Sequence, residues 1–235
     1  MHEQAAAPIL VFDVNETLLD VTTLEPLFER VFADPLVLRE WFAQLILYSQ
    51  SMTLSGLYTP FGELAIGTLK MLASIHGKAV DERDITELQQ RLGSMPAYAE
   101  VEPALERLRE AGFRLVTLTN SATGSSPSAL ERSGLGRFFE RSFSVAAVEK
   151  FKPAADVYQH VARELAVETS DLCLVACHLW DTLGAQAAGC KAAFITLPGN
   201  AMLPAAGVPV PDIVAAEFAD LAEQIIQRWG KPSCA

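Results

Sequence analysis

The feature that most constrains this chain is a set of short, unbroken apolar runs separated by helical patterns. Pro8-Ile9-Leu10-Val11-Phe12 stops at Asp13, and Arg114–Thr119, Leu172–Ala176 and Lys191–Thr196 repeat the form. Runs of this length are more like fully buried strands than helices. Helical patterns lie between them: Pro103–Ala111 with Gly112 as its stop, Ser125–Ser133 with Gly134, Pro153–Ala166, and Thr182–Ala188 with Gly189. Glycine just beyond a helix end suits the left-handed cap conformation. Strands alternating with helices of about ten residues imply parallel βαβ units. The fold class is therefore α/β, a doubly wound parallel sheet of Rossmann-like type.

Between about Asp20 and Ala99 the pattern changes. Apolar residues recur at helical spacing through Leu36–Tyr48, Phe61–Ile75 and Ile85–Leu92, with no comparable strand. Residues 21–98 thus read as a helical cap over an α/β core made of residues 1–20 and 99–235, with the cleft between them as the expected site. Pro198–Pro211 reads as loop, and Phe218–Trp229 as a terminal helix.

Charge narrows the partners. Lys and Arg total 18 against 29 Asp and Glu, a net −11, so the average surface repels phosphate backbones and anionic bilayers. Nucleic acid and membranes are poor partners, and an anionic small molecule would need a local cluster of donors. The start MHEQAAAPIL has no basic segment leading into a sustained apolar one, and no apolar stretch approaches membrane-spanning length, so the expectation is a cytoplasmic protein. Cys173, Cys177, Cys190 and Cys234 lack the paired spacing of a structural zinc site and read as buried small residues plus a tail thiol.

In open α/β sheets, ligands bind beyond the carboxyl ends of the strands. Those ends supply Asp13, Asn15 and Thr17; Thr119, Asn120 and Ser121; Lys152 in Phe151-Lys152-Pro153; and His178, Trp180 and Asp181 in Cys177-His178-Leu179-Trp180-Asp181. Each has a commonplace role when taken alone: a strand-end aspartate caps a turn, polar turn residues satisfy local backbone, and a lysine is solvated. Lys150 reads as such a surface lysine.

Taken together and in order, Asp13-Val-Asn-Glu-Thr17-Leu, Thr119-Asn120, Lys152-Pro153 and the strand leading to Asp181 resemble the four motifs of the haloacid dehalogenase superfamily. Lys152-Pro153 and Trp180-Asp181-Thr-Leu-Gly-Ala are similar to its L-2-haloacid dehalogenase (type II) branch. The resemblance implies that Asp13 is a nucleophile attacking either the halogen-bearing carbon of a 2-haloacid or a phosphoryl group. Lys152 would keep it ionised. Asn15 favours the first chemistry, because phosphatase members place a proton-donating aspartate there and an amide cannot serve as a general acid. The phosphatases also carry an extra metal-binding acid four or five residues before their final aspartate, where this chain has Cys177 and Ala176. A hard cation wants several oxygen ligands, so the expectation is no required metal and no cofactor.

The resulting aspartyl ester would be hydrolysed by water, with His178 and Asp181 as candidates to position or deprotonate it and Asp181 also as a charge partner for Lys152. Thr17, Thr119, Asn120 and Ser121 would orient Asp13 or bind the substrate carboxylate. Trp180 would be pocket wall, with Phe42 and Phe61 as pocket candidates among the aromatics Trp41, Phe42, Tyr48 and Phe61. Two positions depart from the branch. Its halide-binding cap arginine aligns with Phe42, while Arg39 lies nearly one helical turn earlier; His178 replaces a pocket asparagine. The leading expectation is hydrolysis of a short 2-halocarboxylate to the 2-hydroxy acid, and the resemblance further implies a homodimer. A phosphatase or phosphotransferase of the same superfamily, and a non-catalytic member binding an acidic metabolite or protein, are the alternatives.

Overall fold

A computed structural model describes residues 7–122 and 128–230. Six parallel strands form one sheet: β1 (Ile9–Phe12), β2 (Leu115–Thr119), β3 (Arg141–Ser144), β4 (Leu172–Ala176), β5 (Lys191–Ile195) and β6 (Ile213–Ala215). Their spatial order is β3-β2-β1-β4-β5-β6. The chain moves outward from β1 through β2 to β3, then returns to the other side of β1 with β4. The crevice where the order reverses therefore lies at the end of β1, where an open α/β sheet takes its ligands. Val11 of β1 is opposite Val116 on one side and Leu174 on the other. All four β1 residues are buried, which accounts for the unbroken apolar run.

The four strands expected from apolar runs are present, and two more join them at the sheet edges. β3 is Arg-Ser-Phe-Ser with its first two residues exposed, and β6 has three residues with Val214 partly exposed. An edge strand has only partial cover, so β3 shows no apolar run, while β6 is an apolar stretch too short to stand out.

Helices α5 (Val101–Glu110), α6 (Ala129–Arg132), α7 (Ala155–Leu165), α8 (Leu179–Ala187) and α9 (Phe218–Trp229) flank the sheet. Gly112, Gly134 and Gly189 all have positive φ near the helix stops read from sequence. Two helices differ from expectation. The expected Ser125–Ser133 helix is a single turn capped reciprocally by Ser128 and Glu131, its first expected residues lying outside the described chain. α8 begins at Leu179 rather than Thr182, so Trp180 and Asp181 belong to its first turn. Gly184 on α8 is needed for close approach: a Cβ there would lie 2.2 Å from Cβ of Pro153.

Between β1 and β2 the chain forms α1 (Glu25–Phe32), α2 (Val37–Leu54), α3 (Phe61–Ile75) and α4 (Glu82–Leu92). Leu19 and Ala97 pair as an antiparallel bridge, and the Asp20 amide donates to Pro96 O at 2.8 Å, which ties the two ends of this excursion together. Phe28, Trp41, Leu45, Leu69 and Leu72 are buried within it. Asp81 and Asp84 cap α4 reciprocally, satisfying amides that the first turn leaves without partners.

Candidate active site

β1 delivers Asp13 to the crevice, and its amide donates to Val175 O of β4 at 3.0 Å. Lys152 reaches it from the segment before α7. The Lys152 ammonium, 1% exposed, donates to Asp13 Oδ1 at 2.7 Å, to Asp181 Oδ2 at 2.6 Å and to Leu118 O at 3.2 Å. Three donors thus meet three acceptors in space that excludes water. Thr17 Oγ1 donates to Asp13 Oδ2 at 2.6 Å and accepts from the Cys177 amide at 3.1 Å. The fully buried Tyr158 donates its hydroxyl to Asp181 Oδ1 at 2.6 Å.

Burial opposes the charge on Asp13, but Lys152 and the His178 ring outweigh it and hold the carboxyl well below the usual carboxylate range. Lys152 is pushed up in spite of its own burial, because two carboxylates face it. Asp181 goes the other way: burial and repulsion from Asp13 raise it against the pull of the shared ammonium.

His178 stands on the other side of Asp13. Its Nδ1 is 3.4 Å from Asp13 Oδ2 and its Nε2 is 2.8 Å from Glu16 Oε2. The ring is stacked between Phe42 (centroids 5.5 Å apart) and Trp180 (5.1 Å). Burial opposes the imidazolium; contacts with Cys177, Asp13 and Glu16 raise it well above the ordinary histidine value. Since burial also pushes the Cys177 thiol up and keeps it neutral, the two carboxylates provide the attraction.

Glu16 is 2% exposed and has φ of 67°, a left-handed conformation uncommon in residues other than glycine. Arg39 of α2 binds Glu16 Oε1 and also donates to Pro198 O at 3.0 Å. Asn200 Nδ2 lies 3.3 Å from the same carboxylate oxygen. Burial would raise the Glu16 carboxyl, but His178 and Arg39 hold it below its usual range.

A small cavity opens in front of Asp13, lined by Asn15, Phe42, Ile46, Phe61, Thr119, Asn120, His178 and Trp180. Asn15 donates to Ser121 Oγ at 3.1 Å, Asn120 Oδ1 accepts the Lys152 amide at 3.1 Å, and Thr119 Oγ1 accepts the Ser121 amide at 3.1 Å. Most residues expected from sequence therefore meet around one space. Thr17, Lys152 and Asp181 stand behind Asp13, outside the cavity lining, while Ser121 supports Asn15. Trp41 and Tyr48 are absent from the lining: Trp41 is buried with its indole donating to Ala65 O, and Tyr48 is exposed. Lys150 is on the surface, paired with Asp156.

The sequence reading missed Glu16, Tyr158, Asn200 and Ile46. Glu16 alone left a signal, as a charged residue between two motif positions. Tyr158 is six residues beyond Lys152 on a helix whose burial could not be read residue by residue.

The donor set does not suit a divalent cation beside Asp13. Both oxygens of Asp13 and of Asp181 are already in contact with donors, and an ion would confront the Lys152 ammonium. Among the described residues, Glu16, Cys177 and His178 are the one group with three ligand atoms close together. Its carboxylate is committed to His178 and Arg39, so these residues form an ion-paired network.

A strand-end aspartate, a buried lysine and a second carboxylate thus meet at the carboxyl edge of a parallel sheet. The chain belongs to the haloacid dehalogenase-like hydrolase family, whose model matches residues 8–189. More particularly, it is 30% identical over 185 residues to (S)-2-haloacid dehalogenase 1 of Pseudomonas sp. (strain CBS-3), covering 76% of this chain and 80% of that protein. The crystal structure of the L-2-haloacid dehalogenase RSc1362 superposes with a TM-score of 0.87 at 25% identity, covering 94% of this chain and 99% of that one. A phosphoglycolate phosphatase of Vibrio parahaemolyticus serotype O3:K6 (strain RIMD 2210633) matches less of the chain, 28% identical over 132 residues, covering 54% of this chain and 56% of that protein. For residues 7–122 and 128–230, no helix is long and apolar enough to cross a membrane.

Proposed function

We propose that this protein is a metal-independent hydrolytic dehalogenase, converting short 2-halocarboxylates to 2-hydroxy acids through an ester on Asp13. The observation that carries the reading is a carboxylate kept ionised by a buried lysine at the floor of a small, partly aromatic cavity, with an amide where a general acid would otherwise stand. Asp13 attacks the halogen-bearing carbon as the carbon–halogen bond breaks; the halide leaves as a stable anion and needs no protonation. Backside attack inverts a stereogenic carbon.

Lys152 holds Asp13 ionised and fixes its direction, and Asp181, tied to Tyr158, holds Lys152. Thr17 orients the second Asp13 oxygen. Asn15, Thr119 and Asn120 offer polar groups to the substrate carboxylate, with Ser121 supporting Asn15. Phe42, Phe61 and Trp180 limit water around the reacting carbon. The imidazolium of His178 supplies positive charge on the side where Phe42 stands in place of the branch's arginine. Residues 21–98 act as the cap that closes the site. Self-association as a homodimer, implied by the resemblance, is part of the same proposal.

Phosphate ester hydrolysis is disfavoured because Asn15 cannot donate the leaving-group proton and Ala176 and Cys177 provide no further oxygen ligand. The test is halide release from chloroacetate and the 2-chloropropionate enantiomers, with EDTA present. Wild-type protein should release halide and a folded Asp13→Asn variant should not. Equal release by the two would refute the mechanism, as would turnover that requires Mg²⁺.

A further inference from the structure

Glu16 occupies an unfavourable backbone conformation at the centre of the site, buried and held by Arg39 and Asn200. Backbone strain of this kind persists where its surroundings over-determine it. Its carboxylate accepts from Nε2 of His178, which leaves Nδ1 as the ring nitrogen beside Asp13, in a residue that lines the cavity. The other candidate base, Asp181, is fully buried behind Lys152, with both oxygens occupied and no place in the cavity lining.

We infer that Glu16 and His178 form a catalytic dyad in which Nδ1 of His178 takes the proton of the water that hydrolyses the Asp13 ester, while Glu16 fixes the ring for that transfer. The inference rests on the aspartyl-ester reading. Glu16 is a positioning residue, since it acts through His178.

The charge on the ring follows the reaction. In the resting site Asp13 and Glu16 face the imidazole and favour its protonated form, with Cys177 the remaining titratable neighbour. Lys152 stands behind Asp13 and Arg39 behind Glu16; Phe42 and Trp180 carry no charge. Esterification removes the Asp13 charge, and the ring releases its proton to solvent. Water then gives one proton to Nδ1 as its oxygen bonds to Cγ of Asp13. Collapse of the tetrahedral species breaks the bond from Cγ to the substrate oxygen, which takes the proton from Nδ1 and leaves as the hydroxy acid. The regenerated Asp13 carboxyl returns its proton to His178, restoring the resting charges. The sum is haloacid plus water giving hydroxy acid, halide and one proton.

Rapid-quench measurement of halide and intact-protein mass, with 2-chloropropionate as probe, separates the two half-reactions. Glu16→Gln and His178→Asn should each give a halide burst approaching one equivalent per site and accumulate a covalent adduct on the Asp13 peptide. Adduct decay should be slowed at least about 10²-fold for His178→Asn. For Glu16→Gln, loss of the negative partner should move the pH limb of adduct decay to lower pH. Turnover at the wild-type rate without adduct overturns the dyad, as does a proportional loss of burst and turnover. No halide release from folded wild type overturns the ester reading itself, and the dyad with it.

Discussion

Replacing Lys152 by methionine keeps most of the side chain's length and removes only the ammonium. The ammonium meets Asp13 Oδ1, Asp181 Oδ2 and Leu118 O at 2.7, 2.6 and 3.2 Å in a site with 1% exposure. The variant leaves two buried carboxylates facing an apolar thioether, with Thr17, Tyr158 and His178 as their remaining donors. Removing one partner of a buried ion pair costs about 3–5 kcal/mol. For a chain of this size, 1 kcal/mol corresponds to about 2–4 °C in Tm, so the melting temperature should fall by roughly 6–20 °C. The deficit depends on pH. Without the ammonium, the folded-state values of the two carboxyls rise above their unfolded values near 4, so protonated carboxyls are tolerated at low pH and the penalty grows as pH rises through the raised values. Thermal and urea unfolding at pH 5 and pH 8 would measure this, with Lys150→Met as a control. Lys150 pairs with Asp156 where both side chains are nearly half exposed, so that change should cost less than about 1 kcal/mol. A Lys152→Met loss below about 1 kcal/mol at both pH values would refute the idea that the lysine neutralises this site.

Two further outcomes follow from the geometry. Gly184→Ala should destabilise by about 1–3 kcal/mol, because the new Cβ overlaps Pro153 backbone and ring atoms that cannot move aside freely; urea unfolding with no change in midpoint would count against that close approach. His178 is raised in the folded state, so its stabilising contribution is fully present below its unfolded value near 6.5 and fades as pH rises through the folded value. The stability gap between wild type and His178→Asn should therefore be larger at pH 6 than at pH 10, and a gap that is flat or reversed on denaturant titration would contradict the ion pairing of the ring.

The central strands were legible because both of their faces are buried, which leaves an apolar run that ends sharply at a functional residue: Phe12 followed by Asp13, Thr119 followed by Asn120. β3 left no such run, being an edge strand with solvent on part of its surface, and β6 is apolar but only three residues long. The start of α8 was misplaced because Leu179-Trp180-Asp181 serves two ends, first turn of a helix and wall of a site, and its composition reflects the second. Site residues on the strand ends could be located because the βαβ pattern fixes where those ends lie. Glu16, Arg39 and Asn200 come together from a turn, the helical insertion and a loop 184 residues away from Glu16. No local pattern encodes a contact over that distance. The spacing of Arg39 relates it only to the position of Phe42, whereas its partner is a buried glutamate.

The stacking of His178 has a consequence for how the ring can move. Phe42, on one face, belongs to α2 of the helical insertion; Trp180, on the other, belongs to α8 of the sheet layer. A ring covered on both faces can exchange hydrogen-bond partners only at its edge, and a half-turn about its bond to Cβ requires the two aromatic planes to separate. Since one plane travels with the insertion, the orientation of this imidazole records whether the insertion is seated. Its rotation rate would time the breathing of the lobe to which Phe42 is attached.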